Sequence, residues 1–400
     1  MFAVREAPRL EYGDVAIASN AELRSLPFGL STLCVEPARK TLLVEMGQSS
    51  VKTYLVTGAA GFIGHYVALR LLARGDSVLA LDNLNDYYDP KLKQARLNRI
   101  LESPLSRNFK FVKASLEDSA VIRGLFDETP FDGVVHLAAQ AGVRYSLTKP
   151  HAYIDSNITG FLNVLEGMRA QRCMQGFKDD DRGSGPHMVY ASSSSVYGGN
   201  KSLPFEEAQS VDLPISLYAA TKRANELMGH TYSHLFGIPM TGLRFFTVYG
   251  PWGRPDMAAF KFVKAILDGN AIEVYNHGNM RRDFTFVDDI VEGVIRVLGC
   301  PPTAEDSEGS DFAFEKLAAH RVLNIGNHHP ECLTEFISAI EDTLGIKAKR
   351  NLLPIQPGDV PETYASNIKL KAITGFSPST PLREGVRKFV EWYRDYYLLK

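Results

Sequence analysis

From Val51 onward the chain alternates short apolar runs with amphipathic stretches. VKTYLVTG, SVLALDN, FKFVKAS, GVVHLAA, HMVYASS and MTGLRFF are rich in branched and small apolar residues and lack the in/out alternation of a half-exposed strand. Between them, FIGHYVALRLLARG and segments around Val121–Phe126, Ile154–Arg169 and Tyr218–Phe236 repeat their apolar residues at helical spacing. Non-alternating strands separated by amphipathic helices imply a parallel sheet covered on both faces. The pattern therefore predicts a doubly wound α/β domain over residues 51–250. Its one long interruption, QRCMQGFKDDDRGSGPH at about 171–187, exceeds what a helix-to-strand join needs and reads as a surface insertion. Beyond Gly250 the rhythm breaks into Pro-rich loops and shorter helices, with a second irregular stretch at CPPTAEDSEGSDFAFEK, and predicts a smaller mixed α/β region over 251–400, interwoven with the first. Residues 1–50 have no sustained period. They read as a poorly ordered extension, with Met46 as an alternative start.

Composition narrows the class. The 400 residues allow two to four domains, and 44 Lys and Arg against 46 Asp and Glu give a net charge of −2, without the basic excess that nucleic-acid binding needs. No apolar run approaches the roughly 18 residues of a membrane span, and Arg5, Glu6, Arg9 and Glu11 occupy the place of a signal peptide's apolar core. Cys34, Cys173, Cys300 and Cys332 show no C-x-x-C spacing, so neither a metal site nor a disulfide framework is expected. The expectation is a soluble cytoplasmic protein with no membrane or nucleic-acid partner.

Candidate chemistry begins at Thr57–Gly64, T-G-A-A-G-F-I-G, which follows a strand and opens a helix. Gly58 permits the tight turn, Gly61 lets the backbone approach a diphosphate, and Gly64 lets the helix pack on the sheet. The helix N-terminus offers free N–H groups and a positive dipole end. Asp82, ending the next strand, is placed to accept from the adenosine ribose and disfavours a 2′-phosphate, so NAD is preferred to NADP. A glycine turn kept for packing alone is the alternative.

Tyr218 and Lys222 in YAATK lie one turn apart on a predicted helix and face the same way. A neighbouring ammonium together with an oxidised nicotinamide favours the tyrosine phenolate, which makes Tyr218 a candidate base. Elsewhere such a pair is most often a packed ring beside a solvated cation. ASSSSVYG, Ala191–Gly198, ends a strand at the carboxyl edge of the sheet, where its hydroxyls can bridge a sugar hydroxyl to the tyrosine.

The G-x-x-G-x-x-G spacing together with YAATK resembles the extended short-chain dehydrogenase/reductase superfamily, with a Rossmann-type sheet and a C-terminal substrate domain. HLAAQAGVR (136–144), NITG (157–160), RFFTVYGPWGRPDM (244–257), RRDFTFVDD (281–289) and PGDVPETYA (357–365) are most similar to UDP-glucuronate 4-epimerases. The resemblance runs from Val51 to the C-terminus. It implies catalysis by Tyr218, Lys222 and Ser193, with NAD held by Gly58, Gly61, Phe62, Ile63, Gly64, Asp82, Asn83, Leu137, Ala138 and Ala139 besides Tyr218 and Lys222. For a UDP-sugar it implies Ser193, Ser194, Ser195 and Thr247 toward the sugar and its carboxylate, Arg144 and Arg254 nearby, Arg282 at the diphosphate and Asp359 near the ribose. Two positions depart from the family pattern: Ser115 stands where an Asp usually contacts adenine, and Ser366 stands at a C-terminal acidic position.

The implied reaction is inversion at C4 of a UDP-hexuronic acid, UDP-glucuronate to UDP-galacturonate, through a transient 4-keto sugar and return of the same hydride. Related decarboxylases and dehydratases carry an acid beside the catalytic hydroxyl residue, where this chain has Ser194 and Ser195. A neutral UDP-hexose 4-epimerase and a UDP-glucuronate decarboxylase remain the enzymatic alternatives. A non-catalytic NAD-sensing regulator is the alternative of another class, against which retention of Tyr218 and Lys222 counts. The helices at Ile154–Arg169 and Tyr218–Phe236 could pair with their copies, as in family members, which implies a homodimer.

Overall fold

The computed structural model describes residues 51–303, 318–356 and 360–397. The N-terminal extension with Met46, the middle of the stretch after Cys300, and Asp359 lie outside the described residues. Thirteen strands follow in chain order: β1 Thr53–Thr57, β2 Ser77–Asp82, β3 Phe109–Lys113, β4 Gly133–His136, β5 His187–Ser193, β6 Met240–Phe245, β7 Thr247–Tyr249, β8 Ala271–Val274, β9 Arg281–Phe286, β10 His320–Ile325, β11 Pro330–Cys332, β12 Lys349–Leu352 and β13 Glu362–Thr363. The helices are α1 Phe62–Ala73, α2 Pro90–Leu101, α3 Ser119–Glu128, α4 Pro150–Ile154, α5 Gly160–Met174, α6 Leu217–Phe236, α7 Ala258–Leu267, α8 Val287–Leu298, α9 Leu333–Leu344, α10 Ile368–Thr374 and α11 Leu382–Tyr397.

Seven strands form one parallel sheet in the order β3-β2-β1-β4-β5-β6-β10. Consecutive β1 residues explain the missing alternation: Leu55 packs into a core with Ile122, Phe126 and Phe161, and Val56 into another with Val67, Leu71 and Ile290, so both sheet faces are dry. The last strand of this sheet, β10, comes from well beyond residue 250. The remaining strands form small sheets, β9 being flanked by β11 and β13 and also pairing β7, while β8 pairs β12.

Strand order reverses between β1 and β4, where Thr57 lies opposite His136. The chain leaves β1 for β2 on one side and reaches β4 on the other, opening a crevice above the carboxyl ends of the strands, where such folds bind ligands. Thr57 Oγ1 bonds His136 Nδ1 at 2.9 Å and accepts from Ala138 N–H at 3.2 Å, which fixes the crevice floor.

One predicted helix differs from the sequence expectation. The predicted helix over Ile154–Arg169 starts earlier and runs on to Met174, and it contains a π turn at Asp155–Thr159 between α4 and α5. That turn points Asn157 at the neighbouring loop and at α6: its side chain accepts from Gln140 N–H at 2.8 Å and donates to Thr221 Oγ1 at 3.0 Å. The expected insertion therefore begins as helix, and the buried Arg172 gathers the loop after it by donating to the carbonyls of Asp181 and Ser184. α6 starts where Ser216 caps the Ala219 N–H and stops at Gly237 in the left-handed conformation, φ +64°.

Candidate active site

The glycine turn leaves β1 as a close-packed unit. Gly58 has φ +72°, and a Cβ there would sit 2.7 Å from Ala138 N. A Cβ on Gly64 would sit 2.1 Å from the Gly58 carbonyl oxygen, so α1 can approach the turn only without a side chain at that point. α1 has no side-chain cap and no acid in its first turn. Its opening N–H groups and dipole face the crevice uncompensated by protein, the condition a bound diphosphate requires.

Asp82 ends β2 and holds this turn from the side: Oδ2 accepts from Ala60 N–H at 3.1 Å and Oδ1 from Leu84 N–H at 2.9 Å. Each carboxylate oxygen keeps a further acceptor site for ribose hydroxyls. Asn83 donates to Ser115 Oγ at 3.2 Å, so Ser115, at the position where the resemblance leads one to expect an acid, is a neutral acceptor for its neighbour.

Ser193 is the last residue of β5, and its Oγ accepts from Ser195 N–H at 3.1 Å, which leaves its own proton free to point at Tyr218. The Ser193 side chain favours the Tyr218 phenolate. Lys222, buried one turn further along α6, donates from Nζ to the Ala191 carbonyl at 2.8 Å. Burial pushes the Tyr218 phenol above its usual value, opposed by the Ser193 side chain and the Arg254 charge. The lysine is itself pulled down to about 8 by burial, because its ammonium has a carbonyl partner and no acid.

One cavity of about 1150 Å³ runs through the crevice. Gly58, Gly61, Phe62, Ile63, Gly64, Asp82, Asn83, Leu137, Ala138 and Ala139 line it at the dinucleotide end. Ser193, Ser194, Ser195, Tyr218, Lys222, Thr247, Arg144, Arg254 and Arg282 line it as well. The volume exceeds the several hundred Å³ of a drug-sized site and suits two ligands side by side. Arg254 is not a solvated loop cation: it forms a two-pronged pair with Asp256, 2.9 Å from Nε to Oδ1 and 2.5 Å from Nη2 to Oδ2, and Tyr87 donates to the same carboxylate at 3.1 Å. Burial works against its charge, but Asp256 outweighs that and holds the guanidinium above its ordinary value. Arg144 stacks 4.8 Å from the centre of the Tyr275 ring, and Arg282 donates to the Pro361 carbonyl at 3.0 Å.

A model of the NAD-dependent epimerase/dehydratase family matches residues 54–311, the span that builds this crevice. The chain belongs to that family. It is 47% identical over 347 residues to a probable UDP-glucuronate 4-epimerase of Rhizobium meliloti, covering 86% of this chain and 97% of the relative. It is 48% identical over 348 residues to UDP-glucuronate 4-epimerase 3 of Arabidopsis thaliana, covering 86% of this chain and 76% of the relative. Among solved structures it is similar to UDP-glucuronic acid 4-epimerase from Bacillus cereus in complex with UDP-glucuronic acid and NAD, with a TM-score of 0.73 and 29% identity over 86% of this chain and all of that one.

Within this epimerase/dehydratase frame, four residues lie in the site that the motifs left unnoticed. Asp256 was hidden inside the RFFTVYGPWGRPDM likeness as a mere neighbour of Arg254. Lys93 is buried on α2 and donates to the Asn85 carbonyl at 2.7 Å, lining the cavity near Asp82. Glu117 accepts from Ser156 at 2.8 Å, and Glu273 from Tyr275 at 2.6 Å. The N-D-Y-Y-D-P run before α2, with its Pro at the helix start, was the available signal for an ordered element beside the cofactor strand. No helix among the described residues is long and apolar enough to cross a membrane, and no cluster of metal-ligating side chains occurs among them.

Proposed function

We propose that the protein interconverts UDP-glucuronate and UDP-galacturonate by NAD-dependent inversion at C4. The observation that carries this reading is the hydroxyl-rich end of β5. Ser193, Ser194 and Ser195 share one cavity with Tyr218, whose phenolate Ser193 favours, and with an uncapped dinucleotide turn.

Gly58, Gly61, Phe62, Ile63 and Gly64 would hold the dinucleotide diphosphate, Asp82 and Asn83 the adenosine ribose, and Leu137, Ala138 and Ala139 the opposite wall. When bound, NAD supplies the hydride acceptor for C4 of the sugar and gives the same hydride back. Tyr218, as phenolate, takes the proton of the 4-hydroxyl and later returns it, so atoms and electrons balance without an outside redox partner. Ser193 orients that hydroxyl. Lys222 holds the nicotinamide ribose from a position fixed by Ala191. Arg282 is assigned to the UDP diphosphate and Asp359 to its ribose, while Arg144, Arg254, Ser194, Ser195 and Thr247 surround the sugar carboxylate.

A 4-keto uronate loses CO2 readily, so an epimerase gains from having no spare acid or base beside the sugar. The acids lining the cavity are Asp82, Glu117, Asp256 and Glu273, and each already accepts a hydrogen bond from a protein donor. Incubation with UDP-glucuronate followed by NMR tests the reading. UDP-galacturonate is the expected product, and CO2 with a UDP-pentose as the main outcome would overturn it. UDP-glucose should react poorly, because the polar groups meant for the carboxylate would be left unpaired.

We also propose a homodimer through α5 and α6. Leu162 on α5 and Leu227 and Leu235 on α6 are exposed, the last two at 53% and 50%, two turns apart on one helix face. Sedimentation should give a dimer, and Leu227→Glu a monomer. The free thiols of Cys173, Cys300 and Cys332 suit a reducing compartment such as the cytoplasm.

A further inference from the structure

Arg96 of α2 is fully buried, yet among the described residues no carboxylate pairs with it. All five of its N–H donors go to neutral oxygens instead. Nη1 donates to the Ala60 carbonyl at 3.0 Å and to Tyr88 OH at 2.6 Å; Nε and Nη2 donate to the Trp252 carbonyl at 3.1 and 2.7 Å, and Nη2 also to Gly253 at 3.3 Å. One guanidinium thus joins the dinucleotide turn to the loop that carries Arg254. The Ala60 peptide is held from both sides, its N–H by Asp82 and its carbonyl by Arg96. Trp252 is itself in the left-handed region, φ +61°, a conformation that bulky residues rarely adopt and that persists only where surroundings enforce it. Its carbonyl is turned to Arg96, and its ring is packed on Trp392 and Tyr396 of α11, at 5.4 and 5.1 Å between centres.

We propose that Arg96 is a positioning residue coupling occupancy of the dinucleotide site to the conformation of the Trp252–Arg254 loop, with the dinucleotide diphosphate at the start of α1 as the anion that its charge otherwise lacks. A buried cation without a counter-ion favours any state that brings negative charge near it. A diphosphate on the other side of the turn draws the guanidinium toward Ala60 and so biases the carbonyls it shares with Trp252 and Gly253, which is the differential interaction a coupled change needs. The consequence is an order of binding: the dinucleotide seats first, and the loop then presents Arg254 to the sugar nucleotide. The inference rests on the dinucleotide part of the function proposed above and not on the identity of the sugar.

The chain has two tryptophans, and both belong to this cluster, so intrinsic fluorescence reads the loop directly. NAD is titrated into the full-length chain after displacement of any bound dinucleotide, with binding followed in parallel by calorimetry. The wild type should show an emission change that saturates with binding. Arg96→Lys keeps the charge but cannot span both carbonyls, so it should bind NAD with an emission change reduced about fivefold or more. Arg96→Gln is the second variant and is read the same way. No emission change in the wild type, or an unchanged response in a variant that binds NAD, would overturn the coupling. Failure of both variants to fold would assign Arg96 to stability alone and overturn it too. A wild type that shows the emission change but leaves UDP-glucuronate unconverted would defeat the substrate reading and leave this one standing.

Discussion

Lys222 Nζ lies 2.8 Å from the carbonyl oxygen of Ala191, so the ammonium on α6 is anchored to the end of β5, two residues before Ser193. The bond sets helix and strand in register at the place where hydroxyl and phenol must meet. It also leaves a buried charge with no acid beside it, and burial pulls the lysine to about 8.

That depression makes a stability prediction. Native Lys222 releases its proton near 8 and a free lysine near 10.5, so between these values the unfolded chain binds more protons and stability rises with pH. Lys222→Met should remove this part of the slope in urea denaturation measured across the window. Its kcat should fall by roughly a hundredfold or more, in line with loss of a positioned group from an acid–base site. An unchanged slope would show that the lysine is solvated.

Tyr218 and Ser193 should separate in their pH profiles. Burial pushes the phenol up and the Ser193 hydroxyl opposes the rise, so deleting the hydroxyl raises the phenol further. Ser193→Ala should move the ascending limb of kcat/KM, which reports the free enzyme, toward alkaline pH as well as lower the plateau. Tyr218→Phe should lose roughly 10²- to 10⁴-fold in kcat with an unchanged melting curve.

The sheet was legible because β1, β2, β4, β5 and β6 are buried on both faces, while the edge strand β3, FKFVK, is only partly buried and was found by its place in the alternation of strands and helices. Helix α2 was not, because its buried side includes Lys93 and Arg96 alongside Leu92, Leu97 and Ile100, which breaks the apolar period that marks a helix. The π turn at Asp155–Thr159 escaped for a related reason: it adds a residue among polar positions while the apolar spacing continues on either side. Tyr218 and Lys222 stood out by their spacing and Ser193 by the family resemblance, but the direction of the Tyr218 shift could be read from neither. It depends on burial, which is a tertiary fact.

Asp82 has two tasks, and its substitution should reveal both. It holds the Ala60 and Leu84 N–H groups, and in the function proposed above it presents the acid that disfavours a 2′-phosphate. Asp82→Asn keeps an acceptor but removes the charge. NAD affinity should fall about tenfold or more by calorimetry, since hydrogen bonds to charged groups are the stronger kind, and the preference over NADP should narrow. If discrimination stays at the wild-type level, the 2′-phosphate is excluded by shape and not by this carboxylate.

The deepest charge pair in the site region supports the strand that ends in Ser193 from behind. Glu226, one turn beyond Lys222 on α6, accepts from Arg244 Nε at 2.8 Å, from Arg244 Nη2 at 2.9 Å and from Ser192 Oγ at 2.6 Å. Arg244 in turn donates to Tyr197 OH at 3.0 Å, and Tyr197 to Asn324 at 2.7 Å, so α6, β5, β6 and β10 share one network. Removing one partner of a buried pair strands the other charge, so Glu226→Ala should lose about 3–5 kcal/mol in urea denaturation. A Glu226→Gln, Arg244→Met double variant strands no fully buried charge, since Arg223, which also meets Glu226 at 3.1 Å, is partly exposed and keeps Asp212 at 3.3 Å. It should recover part of that loss, although Ser192 then meets an amide in place of a carboxylate. Ser192→Ala leaves the ion pair intact and frees only the strand end. It should cost about 1 kcal/mol of stability while raising KM or lowering kcat through the misplaced Ser193. If Ser192→Ala alters neither kinetic constant, the network stabilises the fold without orienting the catalytic hydroxyl.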